Sequence, residues 1–449
     1  MTRGMAFLAV VLAASTAGAQ LFPHPVTVDR LENGLTVVVA PFDSPGIVAN
    51  YVCVRTGSRD EVEAGHTGFA HFFEHMMFRG TERYPADAYD RLLQSFGADN
   101  NGNTGSDRTC FTVVLPKSAL AQLEDVEADR FQNLAYDVEA FQTEAHTIHG
   151  EYLTSISDPM LKILETLLPM AFTQHPYGHT VIGWLEDIDR MPEYYDFSVA
   201  FLHRYYVPDN AVLIVAGDVT RDEVLALARE KFGAWEGHRD TPEIPAEPEQ
   251  TAPRSAHIDW QGAAPDWLVV GWRIPAFSTE NVDAAALDVA TELLFGATSD
   301  LYRRLVVEEQ KLLTFDPWPT MDRDASLLAL DAKLAEGVAF DEIVAELQRA
   351  IDDLAAGNVD DARVEEVKSN TRYGLPMSLE TPDDVASLLA EFFAATGDPT
   401  SVEAYLQRVA EVTPQDVVRV AAAYLTAARR NVVTLSPAAT AGAGEGGQP

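Results

Sequence analysis

Phe69-Ala70-His71-Phe72-Phe73-Glu74-His75-Met76-Met77-Phe78 is the most informative stretch of this 449-residue chain. At about 100° per residue, its apolar side chains form one stripe, whereas His71, Glu74 and His75 lie on the opposite side. Two histidines four residues apart on a helix share a face, where they can bind one metal ion. The stretch therefore predicts a helix over 69–78 that packs its aromatic face inward and turns a polar trio towards a cleft. The alternative is a helix with a solvated polar face.

A catalytic zinc ion usually has three protein ligands and one open position, so a third ligand is needed. The sequence predicts a second helix over Asp137–Ser157, with an apolar stripe formed by Phe141, Ala145, Ile148 and Tyr152. Glu144 and Glu151 are two helical turns apart and share a face at the edge of this stripe. A half-buried carboxylate needs a partner, and a cation is a suitable one. His146 and His149 point away from Glu151 and are interpreted as surface residues.

His71-x-x-Glu74-His75, with Glu151 following His75 by 76 residues, resembles the inverted zinc motif of the M16 metallopeptidases. This family includes insulinase, pitrilysin and the mitochondrial processing peptidase. The resemblance is strong over 25–235 and weaker over 255–436. It includes Asn33-Gly34-Leu35, Gly57-Ser58-Arg59-Asp60-Glu61, Gly80-Thr81, His175-Pro176-Tyr177-Gly178 with Gly183, Tyr206-Val207-Pro208-Asp209-Asn210 and Val215-Ala216-Gly217-Asp218.

The resemblance implies a fold and a chemistry. The implied fold is α+β, and the chain would be a family member of the zinc-bearing, two-domain bacterial type. Two homologous α/β units, each a mostly antiparallel sheet flanked by helices, form a clamshell, as in metallohydrolases like LuxS and the processing peptidases. His71, His75 and Glu151 would bind one zinc ion per chain, and Glu74 would be the catalytic base of peptide hydrolysis. Glu144 would support a ligand, like the family glutamate seven residues before the metal-binding one.

The segment 97–104 resembles the active-site edge strand of the family. An extended peptide adds to that strand through main-chain hydrogen bonds, which tolerate many sequences. Asn101 is therefore predicted to bind the substrate backbone, and the alternative is an ordinary Asn/Gly turn. The implied function is a zinc-dependent endopeptidase that cleaves short or unfolded peptides.

One segment, 305–314, departs from the family pattern. Active members often carry an arginine and a tyrosine there, in a stretch like Leu-Arg-Glu-Lys-x-Gly-Leu-Ala-Tyr, but this chain has Val306 and Thr314. Arg303 and Arg304 are interpreted as surface residues. Some family members divide the zinc site and the Arg/Tyr pair between subunits. We therefore expect the catalytic subunit of a two-chain complex, with a paralogous M16-like partner supplying the pair. The alternatives are a non-catalytic assembly subunit that retains a metal site and a metal-binding protein without enzyme activity.

Composition and the N-terminal sequence bear on compartment and partners. Residues 1–19 are predicted to be a signal peptide, with an apolar run over 5–14 and cleavage near Ala19, so the protein would be exported and periplasmic or secreted. No later segment is long enough to span a membrane.

Cys53 and Cys110 either form a disulfide or are two small core residues. The net charge of −37 argues against nucleic acid and anionic membranes as partners, and either maintains solubility or favours basic peptides.

The chain divides into predicted regions. A zinc-binding peptidase domain spans 20–236, an exposed, stiff linker rich in Pro and Glu spans 237–254, and a second M16-like domain spans 255–437. A tail of small residues over 438–449 is predicted to be disordered. Ten of the eleven histidines precede residue 240, which excludes a second zinc site of the same kind from the second domain.

Overall fold

Two β-sheets, one in each half of the chain, organise the fold. The computed structural model describes residues 21–318 and 321–438. The predicted signal peptide over 1–19 lies outside the described residues, as does the predicted tail except for Ala438.

The first sheet has six strands in the order β1-β2-β6-β3-β5-β4. They are β1 (Thr27–Arg30), β2 (Thr36–Pro41), β3 (Ile47–Val54), β4 (Asp99–Thr104), β5 (Thr109–Pro116) and β6 (Ala211–Gly217). The neighbouring pairs are antiparallel except β2 and β6, which are parallel. Every residue of β6 is buried, as expected of a central strand covered on both faces. β4 forms one edge of the sheet, as the resemblance implied.

The second sheet has five strands in the order β7-β11-β8-β10-β9. They are β7 (Arg254–Trp260), β8 (Trp267–Ile274), β9 (Leu312–Pro317), β10 (Ser326–Leu334) and β11 (Arg430–Pro437). The order and directions repeat those of the first sheet without β1: the parallel pair β7 and β11 replaces β2 and β6, and the edge strand β9 replaces β4. The duplicated unit is therefore confirmed by topology.

Helices flank both sheets. Those of the first half are α1 (Phe69–Met76), α2 (Ala86–Phe96), α3 (Leu120–Asn133), α4 (Val138–Ser155), α5 (Pro159–Ala171), α6 (Leu185–Arg190), α7 (Tyr195–Tyr205) and α8 (Arg221–Phe232). Those of the second half are α9 (Asp283–Phe295), α10 (Asp300–Tyr302), α11 (Phe340–Ala355), α12 (Asp361–Met377), α13 (Pro382–Thr396), α14 (Ser401–Glu411) and α15 (Pro414–Tyr424). A π-helical turn over Arg303–Glu308 continues α10.

The two halves exchange one helix each. α5 of the first half packs on β7 and β11, where Ile163 and Leu167 join a core with Val269 and Val433. α13 of the second half packs on β3 and β6 of the first sheet. Each sheet thus buries one apolar face against a helix of the other half, and the two units interlock rather than meeting only at their surfaces.

Most residues of the segment between the halves are exposed, but two of its side chains are buried against the rest of the protein. It has no helix or strand before β7, but the side chain of Glu247 and the whole of Gln250 are buried. The Glu247 carboxylate accepts hydrogen bonds from the backbone N–H groups of Thr173, Gln174 and His175 at 2.8, 2.7 and 3.1 Å. These contacts attach this largely exposed segment to the residues that follow α5.

Cys53 and Cys110 form a disulfide between register partners on β3 and β5, which settles the question that the sequence left open. The pair is fully buried on the face of the first sheet that packs against the second half. Within 21–318 and 321–438, no helix has both the length and the apolar character needed to cross a bilayer.

Candidate metal centre

Helix α1 presents the polar trio as the sequence predicted. Phe69, Phe72, Phe73 and Met76 are buried, whereas His71, Glu74 and His75 are half-buried. The regular helix ends at Met76, and a 3-10 turn continues it to Arg79. The ring of Phe72 lies 5.1 Å from that of Phe141 on α4, so aromatic packing fixes the two helices that carry the predicted ligands.

A tight turn and a buried carboxylate fix the start of α1. Gly68 has φ 89°, and a Cβ there would lie 2.5 Å from the carbonyl oxygen of Ile182. This left-handed conformation and close contact both require glycine. The Glu61 carboxylate accepts hydrogen bonds from the N–H groups of Gly68 at 2.8 Å and Ala70 at 2.7 Å, and so occupies the positive end of the helix.

Helix α4 brings Glu144 and Glu151 to α1. Asp137 caps its N-terminus by accepting a hydrogen bond from the Ala140 N–H at 2.8 Å. Glu151 Oε2 lies 3.8 Å from His71 Nε2 and 3.4 Å from His75 Nε2. The exposed His146 and the half-exposed His149, which pairs with Asp189 at 3.0 Å, are not among the residues that could hold this metal.

The donor set fits a zinc ion. Three donor atoms, from His71, His75 and Glu151, lie within 4.8 Å of one another. Ligands about 2.0–2.1 Å from a tetrahedral zinc ion are about 3.3–3.4 Å apart, close to the observed distances from Glu151 to the histidines. Among the described residues, Glu151 Oε2 is a buried oxygen with no hydrogen-bond donor, which leaves its lone pairs for a cation.

Neighbouring groups prepare the histidines for metal binding. The Nδ1 atom of His75 lies 2.9 Å from Glu144 Oε1, which leaves Nε2 as the donor towards the centre. Arg79 donates a hydrogen bond to the other oxygen of Glu144. Burial tends to raise the pKa of Glu144, but the contacts with His75 and Arg79 outweigh it and hold that pKa below its ordinary value.

His71 is the more deeply buried of the two rings. Burial, together with the neighbouring His75, lowers the pKa of His71 to about 4. A neutral imidazole is the form that binds a metal. For His75, burial lowers the pKa, but the hydrogen bond and charge of Glu144 more than compensate and raise it overall.

Glu74 lies beside the donor set and against β4. Thr104 Oγ1 donates a hydrogen bond to Glu74 Oε2 at 2.5 Å, and Gly102 lies directly against the Glu74 side chain. Burial raises the pKa of Glu74, although the Thr104 hydroxyl opposes the shift. The sequence did not indicate Thr104, Arg79 or the capping role of Glu61, because each acts through a contact that no motif spacing encodes.

Asn101 lies on the exposed edge strand as predicted, but the structure does not bring its side chain to the candidate metal ligands. Side chains alternate along a strand, so Asn101 points to the face opposite Gly102 and Thr104. Its Oδ1 accepts a hydrogen bond from the Gly102 N–H at 3.0 Å. Binding of substrate by Asn101 remains a prediction.

The segment that lacks the Arg/Tyr pair carries no replacement near the metal centre. Val306 packs on the core of the second half, and Thr314 Oγ1 accepts a hydrogen bond from the Lys333 N–H at 3.2 Å. Arg303 pairs with Asp300 at 2.8 Å on the surface, and Arg304 pairs with Glu346 at 2.6 Å. Both arginines are thus held in local ion pairs.

Two family models match the chain. Residues 38–183 match the model described as Insulinase (Peptidase family M16), and residues 196–371 match that of the Peptidase M16 inactive domain. His71, Glu74, His75, Glu144 and Glu151 all lie in the first match.

Individual proteins resemble the chain over nearly its whole length. The zinc protease PqqE of Helicobacter pylori is 27% identical over 437 residues, which cover 96% of this chain and 97% of the relative. The probable mitochondrial-processing peptidase subunit beta of Schizosaccharomyces pombe is 26% identical, with 87% of each chain covered. The crystal structure of a protease from Helicobacter pylori superimposes with a TM-score of 0.84 at 27% identity, over 92% of this chain and 100% of that one.

Proposed function

The chain belongs to the M16 peptidase family, and on that premise we propose that it is a zinc-dependent endopeptidase acting on short or unfolded peptides. One observation carries the proposal: the donor atoms of His71, His75 and Glu151 converge at zinc-like spacing, and Glu74 lies beside them. A scaffold or metal-storage protein has no need of a carboxylate in the position of Glu74.

The residues divide the chemistry between them. When bound, zinc supplies Lewis acidity that activates water and polarises the carbonyl of the scissile peptide bond. Glu74 accepts the proton of the attacking water and delivers it to the leaving amine. Glu144 and Arg79 orient His75, and Glu61 fixes the start of the helix that carries both histidines.

The free edge of β4 supports a preference for extended peptides. β4 is the outermost strand of the first sheet, beside Glu74. A peptide that pairs with this edge uses its own main chain, so the preference is for an unfolded backbone rather than for one sequence.

A second chain is part of the proposal. The chain has Val306 and Thr314 where active members of the family often carry an arginine and a tyrosine, and Arg303 and Arg304 are held in other ion pairs. These observations support a paralogous M16-like partner that completes the substrate-binding site.

Export is also proposed. The buried Cys53–Cys110 disulfide supports it, because disulfides persist mainly in oxidising compartments such as the periplasm or the extracellular space.

Metal analysis and peptide hydrolysis of the purified chain test the proposal. We expect one zinc per chain, and we expect hydrolysis of an unstructured peptide that increases when a paralogous M16-like chain is added. A chain that binds zinc but cleaves nothing, with or without the second chain, would contradict the peptidase function. Full activity alone, with no gain from a partner, would contradict only the two-chain arrangement.

A further inference from the structure

We propose that β4 positions the general base: the Thr104 hydroxyl and the bare backbone at Gly102 hold the Glu74 carboxylate in its working orientation. This inference rests on the peptidase function proposed above. It assigns Thr104 and Gly102 as positioning residues that act through Glu74 and do not touch the reacting atoms.

The hydrogen bond from Thr104 distinguishes the two oxygens of Glu74. Thr104 Oγ1 lies 2.5 Å from Oε2, the length of a hydroxyl hydrogen bond to an ionised carboxylate. Among the described residues, no second hydrogen bond to this carboxylate is present. Oε2 is therefore occupied, and Oε1 is left to accept the proton of the attacking water. Without the hydroxyl, a half-buried glutamate would recover rotamer freedom.

Gly102 allows the strand to lie against the base. A Cβ at this position would be 2.9 Å from Glu74 Cγ, 3.3 Å from Oε1 and 3.0 Å from Cε2 of Phe78. The first of these distances is shorter than packed carbon atoms tolerate, so any side chain here would push Glu74 or the strand away. Gly102 and Thr104 are two residues apart and share the face of β4 that points to α1.

The position of these residues has a functional consequence. β4 is the edge strand to which an extended peptide would add, and it is also the strand that holds Glu74. The Thr104 hydroxyl thus fixes the base relative to the substrate backbone, and a misplacement of about 1 Å at a reacting group can reduce the rate about 100-fold.

The test compares Thr104→Val, which removes the hydroxyl but keeps the shape, with Thr104→Ser, which keeps the hydroxyl. Thr112→Val on β5 is the matched control, because its side chain lies on the opposite sheet face, away from Glu74. Gly102→Ala is a second variant, in which the added methyl group displaces the same carboxylate. We expect Thr104→Val and Gly102→Ala to lower kcat about 10- to 100-fold, with KM and zinc content unchanged. Thr104→Ser and Thr112→Val should stay within about 3-fold of the wild type.

Three results would overturn the inference while leaving the peptidase function intact. One is an unchanged kcat in Thr104→Val. Another is a rise in KM alone, which would make Thr104 a substrate contact. The third is a loss of kcat that Thr104→Ser shares, which would indicate a structural role. If the zinc-loaded wild type itself cleaves no peptide, with or without a paralogous chain, the peptidase function and this inference both fail.

Discussion

At the scale of single residues, the centre depends on how the second nitrogen of His75 is engaged. Glu144 takes Nδ1 of His75, and Arg79 neutralises the other oxygen of this buried carboxylate. An uncompensated carboxylate would be costly in this position, so Arg79 and Glu144 act as a pair. Their contacts direct His75 Nε2 towards Glu151.

Replacing Glu144 by Gln tests this support. The amide retains the shape but loses the charge that orients and polarises His75, so we expect zinc affinity to fall about 10- to 100-fold. Competition with a chromogenic chelator measures it. Glu139→Gln, at an exposed position in the first turn of the same helix, is the control and should leave the affinity unchanged. Equal affinities for the two variants would exclude the supporting role.

The sequence could predict the candidate ligands but not all of the residues that support them. His71, Glu74, His75, Glu144 and Glu151 follow helical spacing, and the structure brings them together as the family resemblance implied. By contrast, Thr104 is 30 residues from Glu74, and Arg79 is 65 residues from Glu144. Such contacts depend on how β4 and α4 pack against α1, which no periodicity within one element records.

At the scale of elements, a cation of the first half binds the C-terminal end of the exchanged helix α13. Arg55, just beyond β3, donates hydrogen bonds from Nε to the carbonyl of Ala394 at 2.8 Å and from Nη2 to that of Ala395 at 3.0 Å. These carbonyls belong to the last turn of α13, where the negative end of the helix favours a cation. The helix ends at Gly397, which has φ 81° and lies against the guanidinium of Arg55.

Replacing Arg55 by Met should weaken the attachment of α13. Two carbonyls lose a charged donor, and we expect the free energy of unfolding to fall by about 1.5–3 kcal/mol. Urea denaturation measures the change. Arg91→Met removes an exposed pair with Asp87 and should cost less than about 0.5 kcal/mol. If both variants unfold at the same urea concentration, Arg55 does not hold the helix.

Elements were predictable where a periodic pattern or a turn residue marked them. Asn33-Gly34, a dipeptide typical of hairpin turns, separates β1 from β2, and Gly34 has φ 96°. The exchange of α5 and α13 was not predictable, because an amphipathic helix shows that it buries a face but not which sheet it covers. The hydrogen bonds of Glu247 were not predictable either, because its partners lie 72 to 74 residues away along the chain.

At the scale of the whole molecule, a largely buried polar network joins the two halves of the chain. Asp324, between β9 and β10, accepts a hydrogen bond from Arg59 Nε at 2.6 Å and lies 3.0 Å from His175 Nε2. Beside it, Asp107 accepts hydrogen bonds from the Arg323 N–H and the Tyr177 hydroxyl, both at 2.8 Å. Burial alone would raise the pKa of Asp324, but the contacts with His175 and Arg59 hold it well below its ordinary value.

Replacing Asp324 by Asn should therefore lower stability in a pH-dependent way. A carboxyl whose pKa is depressed by folding stabilises the protein above its unfolded pKa of about 3.9, and that stabilisation is lost as pH falls through the folded pKa. We expect a loss of about 1–2 kcal/mol at pH 7, which shrinks below about pH 4. Urea denaturation at both pH values measures it, with the exposed Asp300→Asn as control. A difference that grows on acidification would contradict the assignment.

The central claim is that this chain hydrolyses peptides with zinc held by His71, His75 and Glu151 and with Glu74 as base. The most direct test measures zinc content and peptide hydrolysis together in the wild type and in Glu74→Gln, each assayed alone and with a paralogous chain. We expect both proteins to bind one zinc per chain, and we expect the substitution to reduce kcat at least about 100-fold because it removes the general base. Hydrolysis by zinc-loaded Glu74→Gln at the wild-type rate would contradict the account.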